Sequence, residues 1–321
     1  MAEALNIPKH SIFHSIDASS KAFDSWKQRS LADRGQTLLN CSAALETQKQ
    51  ELTNLLCAEN GKPALDAALD VAFIIQVFGF FGSLIDKLPG QFMIAESSIL
   101  PLSGSRLAPL TVMRIIEILQ TVLPKGVVQA IPGAGAEVAQ LLIESPAVKM
   151  ISLTGSTAAG AAVAKTASKL VKRTALEIGG KNAFIVFDDC DMDRAVKGAL
   201  EGAYLSKDWP LQYADCESEM DLTSRNGLVK SYIALGSEEG AKIAAQADLP
   251  SDPSLKDGYF VALTLFRDVV RTMRIAQEEI FGPVATVCSF SSEEEAVFVV
   301  NESRYGLVAV IWAYPTVANS T

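Results

Sequence analysis

The sequence predicts an α/β protein in which helices cover the faces of parallel strands, and three observations carry that prediction. Between residues 110 and 186, short β-branched runs alternate with helix-periodic ones. Strand, helix, strand repeats of this kind imply parallel pairing through right-handed crossovers. Hydrophobic residues make up 49% of the chain and charged ones 20%, a composition that buries a core rather than staying disordered. The length, 321 residues, suffices for two domains of ordinary size.

Taken in order, the chain is helical from Ala18 to about Ile85. Ser30 with Asp33 reads as a capping-box start, and one long amphipathic run follows through Leu38, Leu39, Leu45, Leu52 and Leu56. Gly61, Lys62 and Pro63 end it. The most apolar run, Val71 to Ile85, falls short of the ~20 residues a bilayer helix needs and reads as a buried helix. Residues 88–109 are rich in glycine, serine and proline without a period, hence a loop. TVMRIIEILQTVL is then helical and VVQAI a strand running into the helix of PGAGAEVAQLLI. VKMISL is a strand, AAVAKTASKLVKR a helix, and TALEI and AFIVF are strands. Beyond Asp188 the rhythm is less regular. RNGLVKSYIALGSEEGAKI reads as a helix, QEEIFGPVATVCSF as a turn and strand, and EEEAVFVVN as a short helix.

Composition removes several function classes. The net charge is -9 with no dense Lys/Arg block, which argues against a nucleic-acid partner or an anionic membrane surface. His10 and His14 are the only imidazoles, which argues against a Ser-His-Asp hydrolase or a histidine-rich metal site. The five cysteines are scattered, without a CxxC pair, so they read as reduced thiols and no metal is expected. MAEALNIPKH has no apolar core of the kind a signal peptide needs, and the cytoplasm is the expected location.

Two segments carry candidate chemistry. In ISLTGSTAAG a strand delivers Gly155, Ser156 and Gly160 to the start of a helix. Free N–H groups and the helix dipole there favour an anion such as a pyrophosphate, and Ser156 or Thr157 is placed to cap the helix. Strand-to-helix turns through Gly and Ser also arise for packing alone. The nearby IPGAG is a partial GxG lacking its third glycine, and it reads as structural. In TALEIGGKNAFIV, Glu177 stands between Leu176 and Ile178, so alternation along a strand sends its carboxylate to the opposite face, toward solvent or a cleft.

LTGSTAAG, LEIGGKN, DDCDMDRAV, EEIFGPV and YGL, in this order, resemble the aldehyde dehydrogenase superfamily. The likeness runs from Ala18, through KAFDSW and ENGKP, to about Trp312. It implies a Rossmann-type parallel sheet with helices on both faces plus a second α/β catalytic domain, both incomplete. Residues 1–176 would hold the N-terminal helices and the dinucleotide-binding domain, with a segment missing near 95–105, and residues 177–321 a truncated catalytic domain. The resemblance makes NAD or NADP the cofactor and an aldehyde the substrate. Glu177 would be the general base, in a partly dry cleft that raises its affinity for protons. Gly155 and Ser156 would meet the dinucleotide phosphates, Glu279 would bind the nicotinamide-side ribose, and Phe281 would pack beside the nicotinamide.

Three departures from the family stand out. The family's nucleophilic cysteine would fall on or near Leu211, in LSKDWPLQYADCESEMD; Cys216 is the nearest thiol, set among Asp215, Glu217 and Glu219, which would keep it protonated. Aligned on APLT, Ser103 stands where the family has a lysine and Arg106 where it has a glutamate, and an oxyanion-hole asparagine has no counterpart. Loss of one such donor cost roughly 2.7–4 kcal/mol in another enzyme. The family's last stretch, including an oligomerisation strand, has no counterpart after YGLVAVIWAYP, and a shorter block is missing after DCESEMDL. The sequence is therefore compatible with an aldehyde dehydrogenase using Cys216. It is also compatible with a catalytically inactive relative that has a binding or interaction role, as a homo-oligomer or beside a full-length relative, and with an incomplete gene product.

Overall fold

The structure, a computed structural model, describes residues 8–60, 63–85, 100–102, 109–131, 135–205, 219–249, 251 and 260–314. The described residues divide into two compact units, the first running to Glu177 and including Glu219, the second beginning at Ile178. In the first lie α1 (Lys9–Trp26), α2 (Leu31–Thr47), α3 (Lys49–Asn60), α4 (Ala64–Leu84), β1 (Leu100–Leu102), α5 (Leu110–Gln120), β2 (Val128–Ala130), α6 (Gly135–Glu144), β3 (Met150–Gly155), α7 (Thr157–Lys169) and β4 (Arg173–Ile178), whose last residue begins the second unit. There follow β5 (Ala183–Val186), α8 (Met192–Leu200) running into a π-helical turn (Glu201–Leu205), α9 (Glu219–Glu238), β6 (Lys242–Gln246), β7 (Thr264–Arg267), α10 (Arg274–Gln277), β8 (Val284–Thr286), α11 (Glu293–Asn301) and β9 (Ala309–Trp312).

The predicted parallel pairing is present in β1–β2, β5–β9 and β7–β8. Among the described residues, the strands pair in four small sheets, with β3 beside β4 and β6 antiparallel to β7. The antiparallel pair lies in the stretch whose sequence shows no clear rhythm. β1, Leu-Pro-Leu, falls inside the predicted loop of 88–109. Three residues are too few to show an alternation.

The core of the first unit forms where α2, α3, α4 and α5 meet over Cys41, Leu45, Leu52, Val71, Ile116 and Leu119. Full burial of each large side chain there is worth about 1.5–3 kcal/mol. Ser30 caps α2 as predicted, accepting from the Asp33 N–H at 3.1 Å. The long leucine run is two helices, not one: α2 closes at Gln48 and α3 starts at Lys49. Its heptad-like leucines continue across the break, which hides it. Where α2 crosses α4 the backbones nearly touch. A Cβ on Gly35 would stand 2.8 Å from the Gly82 carbonyl oxygen, and one on Gly82 2.9 Å from Leu39 Cγ, so this crossing admits only glycine.

α4 departs from the expected short buried helix. It is 21 residues long and, by length and composition only, apolar enough to cross a membrane. It buries one face, Ala67, Val71, Ile75 and Gly82, while Leu65, Leu69, Phe73, Phe80 and Phe81 are exposed. Its inner face is tied to α2 by Ser42 Oγ, which donates to the Ile75 carbonyl at 2.8 Å.

The second unit has its own core on Phe266, Ile275, Val229, Met273 and Ile280, with Phe266 and Ile275 fully buried. This core brings β7, α9 and the segment after α10 together, and it is the platform for the residues described next.

Candidate functional site

The turn from β3 to α7 is built from local signals. Ile151 and Leu153 on β3 pack against Val163 and Ala167 on α7, holding the strand end against the helix it feeds. Ser156 rather than Thr157 is the cap, its Oγ accepting from the Ala159 N–H at 3.2 Å. Gly160 is buried, and its N–H already donates to the Ser156 carbonyl at 2.9 Å. Gly155 is exposed. A Cβ placed there would meet nothing nearer than Leu153 Cδ1 at 3.9 Å, and its φ is not left-handed. The fold itself thus has no steric need for glycine at 155. A bare backbone at the start of a 13-residue helix fits the close approach of a phosphate.

Glu177 sits near the end of β4 with the alternation the sequence implies: Leu176 and Ile178 are half-buried and Glu177 is exposed. Leu176 packs on the Ile143–Val163–Ala167 cluster, which anchors the strand. The carboxylate is open to solvent rather than half-dry.

Cys216 lies outside the described residues, as do Leu211, Ser103, Arg106 and Gly133. The described thiols are Cys41, Cys57, Cys190 and Cys288. Burial pushes Cys41 up to about 11 and also raises Cys288, with Lys181 pulling the latter back. Both shifts run against thiolate formation, the reverse of what a nucleophile needs.

In the second unit, two motifs about 100 residues apart in sequence meet. The Glu279 carboxylate is half-buried against Gly179 and accepts from the Gly180 N–H at 3.4 Å. Lys181, next in the chain, reaches across to donate to the Ile275 carbonyl at 2.7 Å. Burial lowers its amine to about 8, opposed by the nearby charges of Cys288, Glu279 and Glu278. Glu278 faces a different set. It receives Arg274 Nε at 2.8 Å and a second guanidinium nitrogen at 3.0 Å, and the Tyr232 hydroxyl at 2.7 Å. Arg274 first, then Tyr232, holds it down at about 2. Phe281 presents a ring 60% exposed, an apolar plane of the kind a flat ring stacks on.

Sequence reasoning picked out Glu279 and Phe281 and missed Lys181, Glu278, Tyr232 and Arg274. Arg274 and Glu278 stand four residues apart, the spacing of a helical ion pair, and that signal was available. Lys181 carried one too: a lysine between two glycines and an apolar strand must either snorkel or find a buried acceptor.

The model of the aldehyde dehydrogenase family matches residues 1–103, 100–207 and 223–318. An aldehyde dehydrogenase of Didymella fabae is 42% identical over 371 residues, covering 93% of this chain and 75% of the relative. Aldehyde dehydrogenase citD of Monascus ruber is 40% identical, with 93% and 74% covered. Among solved structures, the betaine aldehyde dehydrogenase of Staphylococcus aureus in complex with NAD+ aligns with a TM-score of 0.86 at 27% identity, covering 97% of this chain and 76% of that one. The Didymella alignment is longer than the 321 residues of this chain, so that relative carries internal residues without a counterpart here. The family match falls into segments that overlap at 100–103 and leave a gap between 207 and 223. With matches along nearly its whole length, the chain belongs to the aldehyde dehydrogenase family.

Proposed function

We propose that the chain holds a nicotinamide dinucleotide, NAD or NADP, and oxidises an aldehyde to a carboxylic acid. The observation that carries the reading is the half-buried Glu279 carboxylate, positioned on Gly179 and accepting a single long hydrogen bond among the described residues. A fixed carboxylate with free lone pairs is the group type that receives ribose hydroxyls. Gly155 and Ser156 would meet the phosphates, Gly160 would contribute only by its small size, and Phe281 would flank the nicotinamide. A bound dinucleotide supplies the hydride acceptor.

In this reading the Cys216 thiolate adds to the carbonyl carbon, giving a thiohemiacetal. Loss of hydride from that carbon leaves a thioester. Glu177 then takes a proton from water, whose oxygen attacks the thioester, releasing the acid and restoring the thiol. The exposure of Glu177 gives it direct access to that water.

A second reading, dinucleotide binding without turnover, is favoured by the thiols. Cys41 and Cys288 are raised by burial, and the family match skips the stretch holding Cys216. Such a chain would act through binding or by pairing with a full-length relative.

The test supplies the purified chain with NAD+ or NADP+ and a panel of aldehydes and follows absorbance of the reduced nicotinamide. The first reading expects turnover that Glu177→Gln and Cys216→Ser each lower by about 100-fold or more. Binding without turnover establishes the second reading. Absence of dinucleotide binding overturns both.

A further inference from the structure

The Glu279 carboxylate owes its place to a side chain that is not there. A Cβ built on Gly179 would overlap Glu279 Oε2 and lie 3.0 Å from Cδ and 3.3 Å from Oε1. All three nearest atoms belong to that one carboxylate. No left-handed φ occurs at Gly179, so backbone conformation does not demand a glycine there. The neighbouring Gly180 differs: its added Cβ would meet Leu307 Cβ and Cδ2, both at 2.9 Å, a matter of packing. Lys181, anchored on the Ile275 carbonyl, fixes the far side of the same turn, and the Gly180 N–H donates to the carboxylate at 3.4 Å.

We propose that Gly179 is a positioning residue: its bare Cα is the seat of the Glu279 carboxylate, and any larger residue there displaces that carboxylate and weakens dinucleotide binding. The proposal rests on the reading of Glu279 as a ribose ligand. The displaced group is the end of a flexible side chain, so alanine at 179 moves Glu279 more readily than it moves the backbone.

The test is a double-mutant cycle on the full chain with Gly179→Ala, Glu279→Ala and both together. Thermal midpoints are read without nucleotide and NAD+ dissociation constants by calorimetry. Gly179→Ala lowers the midpoint while Glu279 is present and leaves it unchanged in the Glu279→Ala background. Each single substitution raises the NAD+ dissociation constant about tenfold or more, and the double variant is no weaker than Glu279→Ala. Equal midpoint losses in both backgrounds overturn the seat. If Gly179→Ala alone yields no folded protein, recovery of folded protein on adding Glu279→Ala supports the seat, and failure to recover overturns it. If Glu279→Ala leaves NAD+ affinity unchanged, or the parent chain binds no NAD+, the ribose reading and the positioning role fall. The midpoints still report on the seat, so the two failures are told apart.

Discussion

Two carboxylates, one in each unit, are held in opposite ways. Glu59, at the end of α3, is buried and gives its oxygens to the start of α5. It accepts from the Leu110 N–H, from the Thr111 N–H at 2.9 Å and from the Thr111 hydroxyl at 2.6 Å. Pro109, at the cap position of α5, contributes no side-chain cap, so a residue from another helix satisfies the orphan N–H groups and meets the dipole. Glu279 is only half-buried and accepts a single long bond from the described residues. A carboxylate whose lone pairs are used up belongs to the fold; one that is fixed but under-used is available to a ligand. Glu59 of ENGKP and Glu279 of EEIFGP thus differ in how many of their lone pairs the described residues take up.

The contrast is broken most directly at Glu59. Glu59→Ala leaves three donors without their acceptor and is expected to cost about 3 kcal/mol or more of unfolding free energy, measured by urea titration, with Glu59→Gln recovering part of it. A loss no larger than that of Glu279→Ala would erase the distinction.

Next in size is Lys181, which sharpens the Glu279 side. Its folded pKa of about 8 lies below the ordinary 10.5, so between those values the unfolded chain binds more protons. Stability contributed by this site therefore rises as pH increases from about 8 to 10.5, by at most about 3 kcal/mol. The Lys181→Met variant should lose that rise when its pH–stability curve is subtracted from the parent's. Identical curves would show that the amine is not held in a costly charged state beside Glu279.

The smallest effect is expected at the α7 start. Ser156→Ala removes a local cap and should cost about 1 kcal/mol, visible as a small shift in the urea midpoint.

Much of the first unit was legible because its signals are local. Ser30 and Ser156 announce their helices by a hydroxyl three residues before the N–H it receives. The β-branched run of β3 and the alternation around Glu177 also follow from neighbours in sequence. What escaped is long-range. No local pattern tells that Glu59 caps a helix starting about 50 residues later, or that Glu279 rests on Gly179. The close crossing at Gly35 and Gly82 was hidden likewise, because a glycine inside a helix reads the same whether a backbone or open water lies against it. The exposure of Phe73, Phe80 and Phe81 on α4 was missed because an all-apolar run carries no amphipathic period to show which face turns inward.

Gly155 has a consequence of another kind. A glycine that folding does not need leaves the denatured chain more supple, and alanine at a compatible position commonly adds about 0.4–1 kcal/mol of stability. The absence of any clash for a Cβ at this residue, whose nearest neighbours would lie at 3.9–4.0 Å, means the protein forgoes that increment while gaining nothing internally. On the proposed dinucleotide reading, Gly155 trades robustness for reach, and a stabilised version of this protein would begin by reversing that trade.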